Sequence, residues 1–236
     1  MRSQIAIGRV AGALYLAVVL TGIFSLAYVP SRIPANGSIE SFIAHVTTSE
    51  QLYRSGIASF LVNQVAFLLL ALAMFALFRD VNRKAATTMA ALACAGIPLA
   101  LVGVAHRLDI LALIAPDVQA QTGDATVLHA QVAAALASYR STLLVTNLFW
   151  GLWLFPLGCL VIKSRSIPRL LGAFLILGCV GYCINVFGTI LIPGYRDSAF
   201  SDYATLPAAI GEIGTALWLL VMGAKSRQQG GLHALP

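Results

Sequence analysis

Residues 53–78 read YRSGIASFLVNQVAFLLLALAMFALF, with Arg54, near the start, the one charged side chain in the run. As a helix this run is roughly 39 Å long, more than enough to cross a hydrocarbon core of about 30 Å. The polar residues within it are Asn63 and Gln64 near its middle and a few hydroxyls. Directly after it comes RDVNRK, residues 79–84, three of whose side chains are basic. An apolar span closed by a basic cluster is the pattern of a helix that ends on the cytoplasmic side of a membrane.

Runs of the same kind lie on either side, at residues 8–29, 85–115, 139–162, 170–192 and 206–224. The expected architecture is therefore all-α: an integral membrane bundle of about six transmembrane helices, one domain over residues 1–236, with both termini cytoplasmic. The fourth apolar segment, Val127 to Ile162, would be roughly 54 Å long as one helix. Val127 to Ser138 is accordingly read as an extension beyond the hydrocarbon, or as a tilted part of the span. The first run follows Arg2 and Arg9 and is longer than a signal-peptide core, with no small-x-small cleavage site after it, so it is read as an uncleaved span. Pro98 and Pro156 fall inside spans and are expected to kink them. Ile39, Phe42, Ile43 and Val46 have helical spacing and predict a short amphipathic helix on the outer membrane surface.

Composition excludes the main alternatives. The 236 residues are 59% hydrophobic and 10% charged, with a mean hydropathy of +0.86. A soluble domain carries about 25% charged residues. The net charge of +6 and the pI near 9.4 do not point to nucleic acid, because the basic residues sit in small groups between apolar runs instead of along one groove. One set of connections carries Arg2, Arg9, Arg79, Arg83, Lys84, Lys163, Arg165, Arg169, Lys225 and Arg227 against Asp80; the other carries Arg32, Arg54 and Arg196 against Glu40, Glu50, Asp117, Asp124, Asp197 and Asp202. The positive-inside rule places the first set in the cytoplasm. Cys94, Cys159, Cys179 and Cys183 all lie in apolar runs, so no disulfide framework is expected.

Ionisable groups at membrane depth cost several kcal/mol and mark candidate sites. The residues singled out are Asn63, Gln64, His106, Arg107, Asp109, Arg140, Asn147, Asn185 and Glu212. The topology places them in the outer half of the bundle. At 100° per residue Arg140, Asn147, Gly151 and Gly158 share one helix face, and Gly178, Gly181, Asn185 and Gly188 share another. The reading is a pocket, open to the outside, for a small polar, anionic or lipid-like ligand, with a buried ion pair at its centre between Glu212 and an arginine, Arg140 in preference to Arg107. Packing alone also accounts for such residues, since side-chain hydrogen bonds join membrane helices. Trp150 and Trp153 are within a span and are read either as packing or as walls of the pocket beside Asn147.

No motif names a reaction. H-E-x-x-H, C-x-x-C and Gly-rich phosphate loops are all missing. Of the histidines, His106 is inside a span while His45, His129 and His233 are at or beyond the edges, so a bis-histidine haem or a bound metal is not expected, and no cofactor is assigned. Three functions remain: ligand binding or transport, a non-catalytic assembly or stress-response partner, and a membrane-embedded enzyme or redox subunit using His106 with Asp109 or Glu212 for proton transfer. The reading leans away from an enzyme. The bilayer is the expected partner, and nucleic acid is not.

Five segments together resemble a known family: GRVAGALYLAVVLTGIFSLAYVP (8–30), NQVAFLLLALAMFALFRDVNR (63–83), FWGLWLFPLGCLVIKS (149–164), IPRLLG (167–172) and LPAAIGEIGTALWLLVMG (206–223). The chain is similar to a bacterial family of multi-pass membrane proteins known as a domain of unknown function. The resemblance implies a bacterial inner-membrane protein and six spans; it carries over no catalytic residue.

Overall fold

Short polar signals decide where the helices begin. Ser38 Oγ accepts the Ser41 N–H at 3.2 Å, Asn82 Oδ1 accepts the Ala85 N–H at 3.2 Å and Asp124 Oδ1 accepts the Thr126 N–H at 2.8 Å, each satisfying a donor that the first turn leaves free. The computed structural model describes residues 2–118 and 124–224. Among these the chain is helical and has no strand. The helices are α1 (Arg2–Ile23), α2 (Val29–Arg32), α3 (Ile39–Thr48), α4 (Glu50–Phe78), α5 (Arg83–Leu113), α6 (Ala125–Leu152), α7 (Leu154–Ser164), α8 (Arg169–Leu191), α9 (Ala199–Tyr203) and α10 (Leu206–Met222). Lys225, Arg227 and His233 lie outside the described residues.

Six stretches are long and apolar enough to cross a membrane: Gln4–Arg32, Glu50–Phe78, Arg83–Leu113, Ala125–Ser164, Arg169–Leu191 and Ala199–Met222. The protein is a multi-pass membrane protein. Each span packs on the next in chain order, α1 on α4, α4 on α5, α5 on α6, α6 and α7 on α8, and α8 on α10; α10 then returns to α1 and closes a ring. One end of this ring holds Arg79, Arg83, Lys163, Arg165 and Arg169 and is called the basic end below; the other is the far end.

The proline effects differ. α5 runs unbroken through Pro98, whereas the fourth span breaks at Trp153, three residues before Pro156, into α6 and α7. Pro156 has no N–H for the Leu152 carbonyl and its ring crowds that turn. The first span contains a wide π turn, Phe24–Tyr28, in which the Val29 N–H reaches the Phe24 carbonyl just before Pro30.

α3 forms where the amphipathic spacing places it, but its apolar face covers protein. Phe42 and Val46 are buried in a cluster with Tyr53, Ile57 and Val132, so α3 docks on α4 and α6. The core at the basic end is built from Tyr15, Leu70, Met74, Met89, Trp153, Leu157, Leu175 and Leu219. Trp153 stacks edge-on to Phe67 at 5.1 Å and lies 5.8 Å from Tyr15.

Candidate functional site

Glycines bring α1 and α10 together at the basic end. A Cβ on Gly8 would meet the Ala224 backbone, and one on Gly12 would overlap the backbone of Leu220. One turn further on, the contact passes to side chains: the Tyr15 hydroxyl donates to Glu212 Oε1 at 3.0 Å. Beyond that bond the ring interior opens into a chamber of about 320 Å³, lined by Tyr15, Val18, Gly22, Asn63, Phe67, Trp150, Trp153, Tyr182, Ala209, Glu212 and Ile213 among others. Tyr15 is thirteen residues into α1, roughly 20 Å along its axis. Glu212 therefore sits near the middle of the bundle, deeper than the outer half in which the topology places it.

Towards the far end a second cavity of about 410 Å³ adjoins the first, with Leu26 and Trp150 lining both. Its wall carries Arg107, Arg140 and Arg196 together with Asn147, Tyr53, Tyr139 and Phe42, and among the described residues no aspartate or glutamate lines it. Arg107 is 3% exposed, and its guanidinium carbon lies 4.8 Å from the Tyr53 ring centre and 5.7 Å from that of Tyr139. Its Nη1 has no hydrogen-bond partner among the described residues. Gly56 on α4 leaves the room: a Cβ there would stand 3.0 Å from Arg107 Nη2. Arg140 is exposed and donates from Nη2 to the Ala35 carbonyl, tying α6 to the segment after α2.

The expected Glu212–Arg140 pair is absent. Glu212 is held by Tyr15 in the first chamber and Arg140 by Ala35 at the second; among the described residues neither Arg140 nor Arg107 forms an ion pair with a carboxylate. The two charges line different cavities.

The nine singled-out residues divide into three sets. Arg107, Arg140 and Asn147 line the arginine cavity; Asn63 and Glu212 line the inner chamber. The other four line neither. Gln64 is buried and donates to Asn63 Oδ1 at 3.0 Å, and Asn63 in turn donates to the Val18 carbonyl at 2.7 Å and to Thr21 Oγ1 at 3.0 Å, which fixes α4 on α1. Asn185 donates to the Ser201 carbonyl at 2.9 Å and accepts from the Tyr195 hydroxyl at 2.7 Å. With Gly178 against Ala208 and Gly181 against Ala204, that face of α8 packs its own hairpin onto α9 and α10. His106 and Asp109 approach to 3.6 Å on the outside of α5, Asp109 exposed. Sequence reasoning missed Tyr15, Tyr182 and Arg196. The tyrosines count as apolar aromatics within spans, and Arg196 is in a connection where helical phase gives no direction.

Residues 10–223 match a family described as Domain of unknown function (DUF4386). An Archaeoglobus fulgidus protein, described as an uncharacterized protein, is 33% identical over 90 residues, which is 38% of this chain and 51% of that one. The chain thus spans about half the length of the curated relative it matches. No solved structure matches the chain.

Proposed function

The chain belongs to the DUF4386 family, and from that premise we propose that it binds a small anion, or the anionic headgroup of a lipid-like molecule, in the arginine-lined cavity. The observation that carries this reading is the buried Arg107 guanidinium with an unpartnered Nη1. A buried charge without a counter-charge costs several kcal/mol. Two tyrosine faces return about 0.5–2 kcal/mol each at best. Arg140 and Arg196 line the same cavity and among the described residues no carboxylate does, so the unmet demand is for negative charge. The basic end faces the cytoplasm in this proposal, the membrane is a bacterial inner membrane, and the cavity is reached from the opposite side.

Support for an embedded enzyme is thinner, because His106 and Asp109 line neither cavity. An assembly role draws on Asn63 and Asn185, whose hydrogen-bonding groups are taken up by packing.

The test is thermal unfolding of the purified full chain in uncharged detergent, with phosphate, acetate or octyl sulfate titrated against chloride of equal ionic strength. At a hundredfold excess over its Kd a bound anion adds about 2.7 kcal/mol, a rise of several degrees. Arg107→Gln removes that rise. If none of the three anions raises the unfolding temperature above the chloride control, the proposal fails.

A further inference from the structure

The inner chamber has the opposite character to the arginine cavity. Its walls present five aromatic rings, Tyr15, Phe67, Trp150, Trp153 and Tyr182, around the carboxylate of Glu212, and among the described residues no other acid and no lysine, arginine or histidine lines it. Glu212 Oε1 takes the Tyr15 hydroxyl, and among the described residues no donor bonds Oε2. A carboxylate in apolar surroundings is neutralised by a proton or by a nearby cation, and aromatic faces attract a diffuse cation through their quadrupoles. A divalent metal would need several oxygen ligands, and here there is one acid.

The way in is lateral. α1 and α10 touch at Gly8 and Gly12, but past the Tyr15–Glu212 bond the chamber separates them. Ile23, Ala209 and Ile213 line the chamber and are also exposed on the outside of the bundle. In a bilayer that outside is lipid, so an occupant that enters here must carry enough apolar surface to partition into the membrane.

We propose that the inner chamber binds an apolar organic cation, a quaternary ammonium or protonated amine bearing an aromatic or alkyl group, which enters from the membrane between α1 and α10 and seats its charge against Glu212 inside the aromatic walls. A volume of about 320 Å³ accommodates a small ligand of this type. The proposal stands on a different chamber and charge from the anion reading and does not depend on it.

The test compares benzyltrimethylammonium with its neutral carbon isostere, neopentylbenzene, by tryptophan fluorescence titration of the full chain in uncharged detergent. The expected result is saturable quenching by the cation at concentrations at least tenfold lower than by the isostere. Glu212→Gln should reduce that preference at least tenfold, and Trp150→Leu should weaken cation binding while the preference persists. Equal binding of the two compounds by the unaltered protein overturns the proposal without reference to any variant. So does a Glu212→Gln protein that folds and keeps the full preference.

Discussion

Glu212 and Arg140 show what a residue's neighbours decide that its sequence position does not. Both lie on small or polar helix faces, and pairing opposite charges is the economical reading of a sequence. The structure instead gives Glu212 the Tyr15 hydroxyl at 3.0 Å and gives Arg140 the Ala35 carbonyl. A double-mutant cycle separates these arrangements. Glu212→Gln and Tyr15→Phe are expected to couple by about 1 kcal/mol in unfolding free energy, whereas Glu212→Gln and Arg140→Gln should add within about 0.5 kcal/mol. Coupling of the second pair and independence of the first would reverse the assignment. That polar groups gather inside the bundle was legible from hydropathy alone. Which of them meet was not, because a tyrosine hydroxyl carries no mark in a hydropathy pattern and a backbone carbonyl carries none in any sequence. Arg107 was legible as a buried cation; that it would lie against Tyr53 and Tyr139 and not against an acid depends on Gly56 leaving space beside it.

At the scale of elements the apolar periodicity located the spans, and departures from it came from proline. Trp150, just before the break at Trp153, lines both cavities, while Trp153 is buried in the core and also lines the inner chamber. Pro98, of the same residue type, leaves α5 unbroken, and the sequence offers no way to tell the two apart. α3 was legible as an amphipathic helix, but the spacing of Phe42 and Val46 is the same whether the helix lies on lipid or on protein. Because Phe42 is buried against Tyr53, at 6.4 Å between ring centres, Phe42→Ala should cost about 3 kcal/mol of local packing. The expected outcome is faster proteolysis between Ile33 and Ser49 in the purified protein. Cleavage at the unaltered rate would mean that α3 is anchored by something other than its apolar face.

For the whole molecule, the charge asymmetry predicts an orientation that can be tested. Reporter fusions after Arg83 and Arg165 are expected to read cytoplasmic, and fusions at Asn36 and Asp197 to read on the opposite side. One fusion on the wrong side would break the six-span arrangement and with it the access route assigned to the arginine cavity. The ring has a consequence for the order in which it is made. Since each span packs on its predecessor, five of the six interfaces can form as the chain is threaded into the bilayer, without waiting for later sequence. The sixth, α1 with α10, joins the earliest-inserted helix to the latest across the full length of the described chain. It is a seam, closed at one end by glycine contacts and left ajar where the inner chamber begins. Until α10 is inserted, Tyr15 and Gly12 lack the helix that packs against them, so the insertion of α10 is also what builds the chamber's doorway.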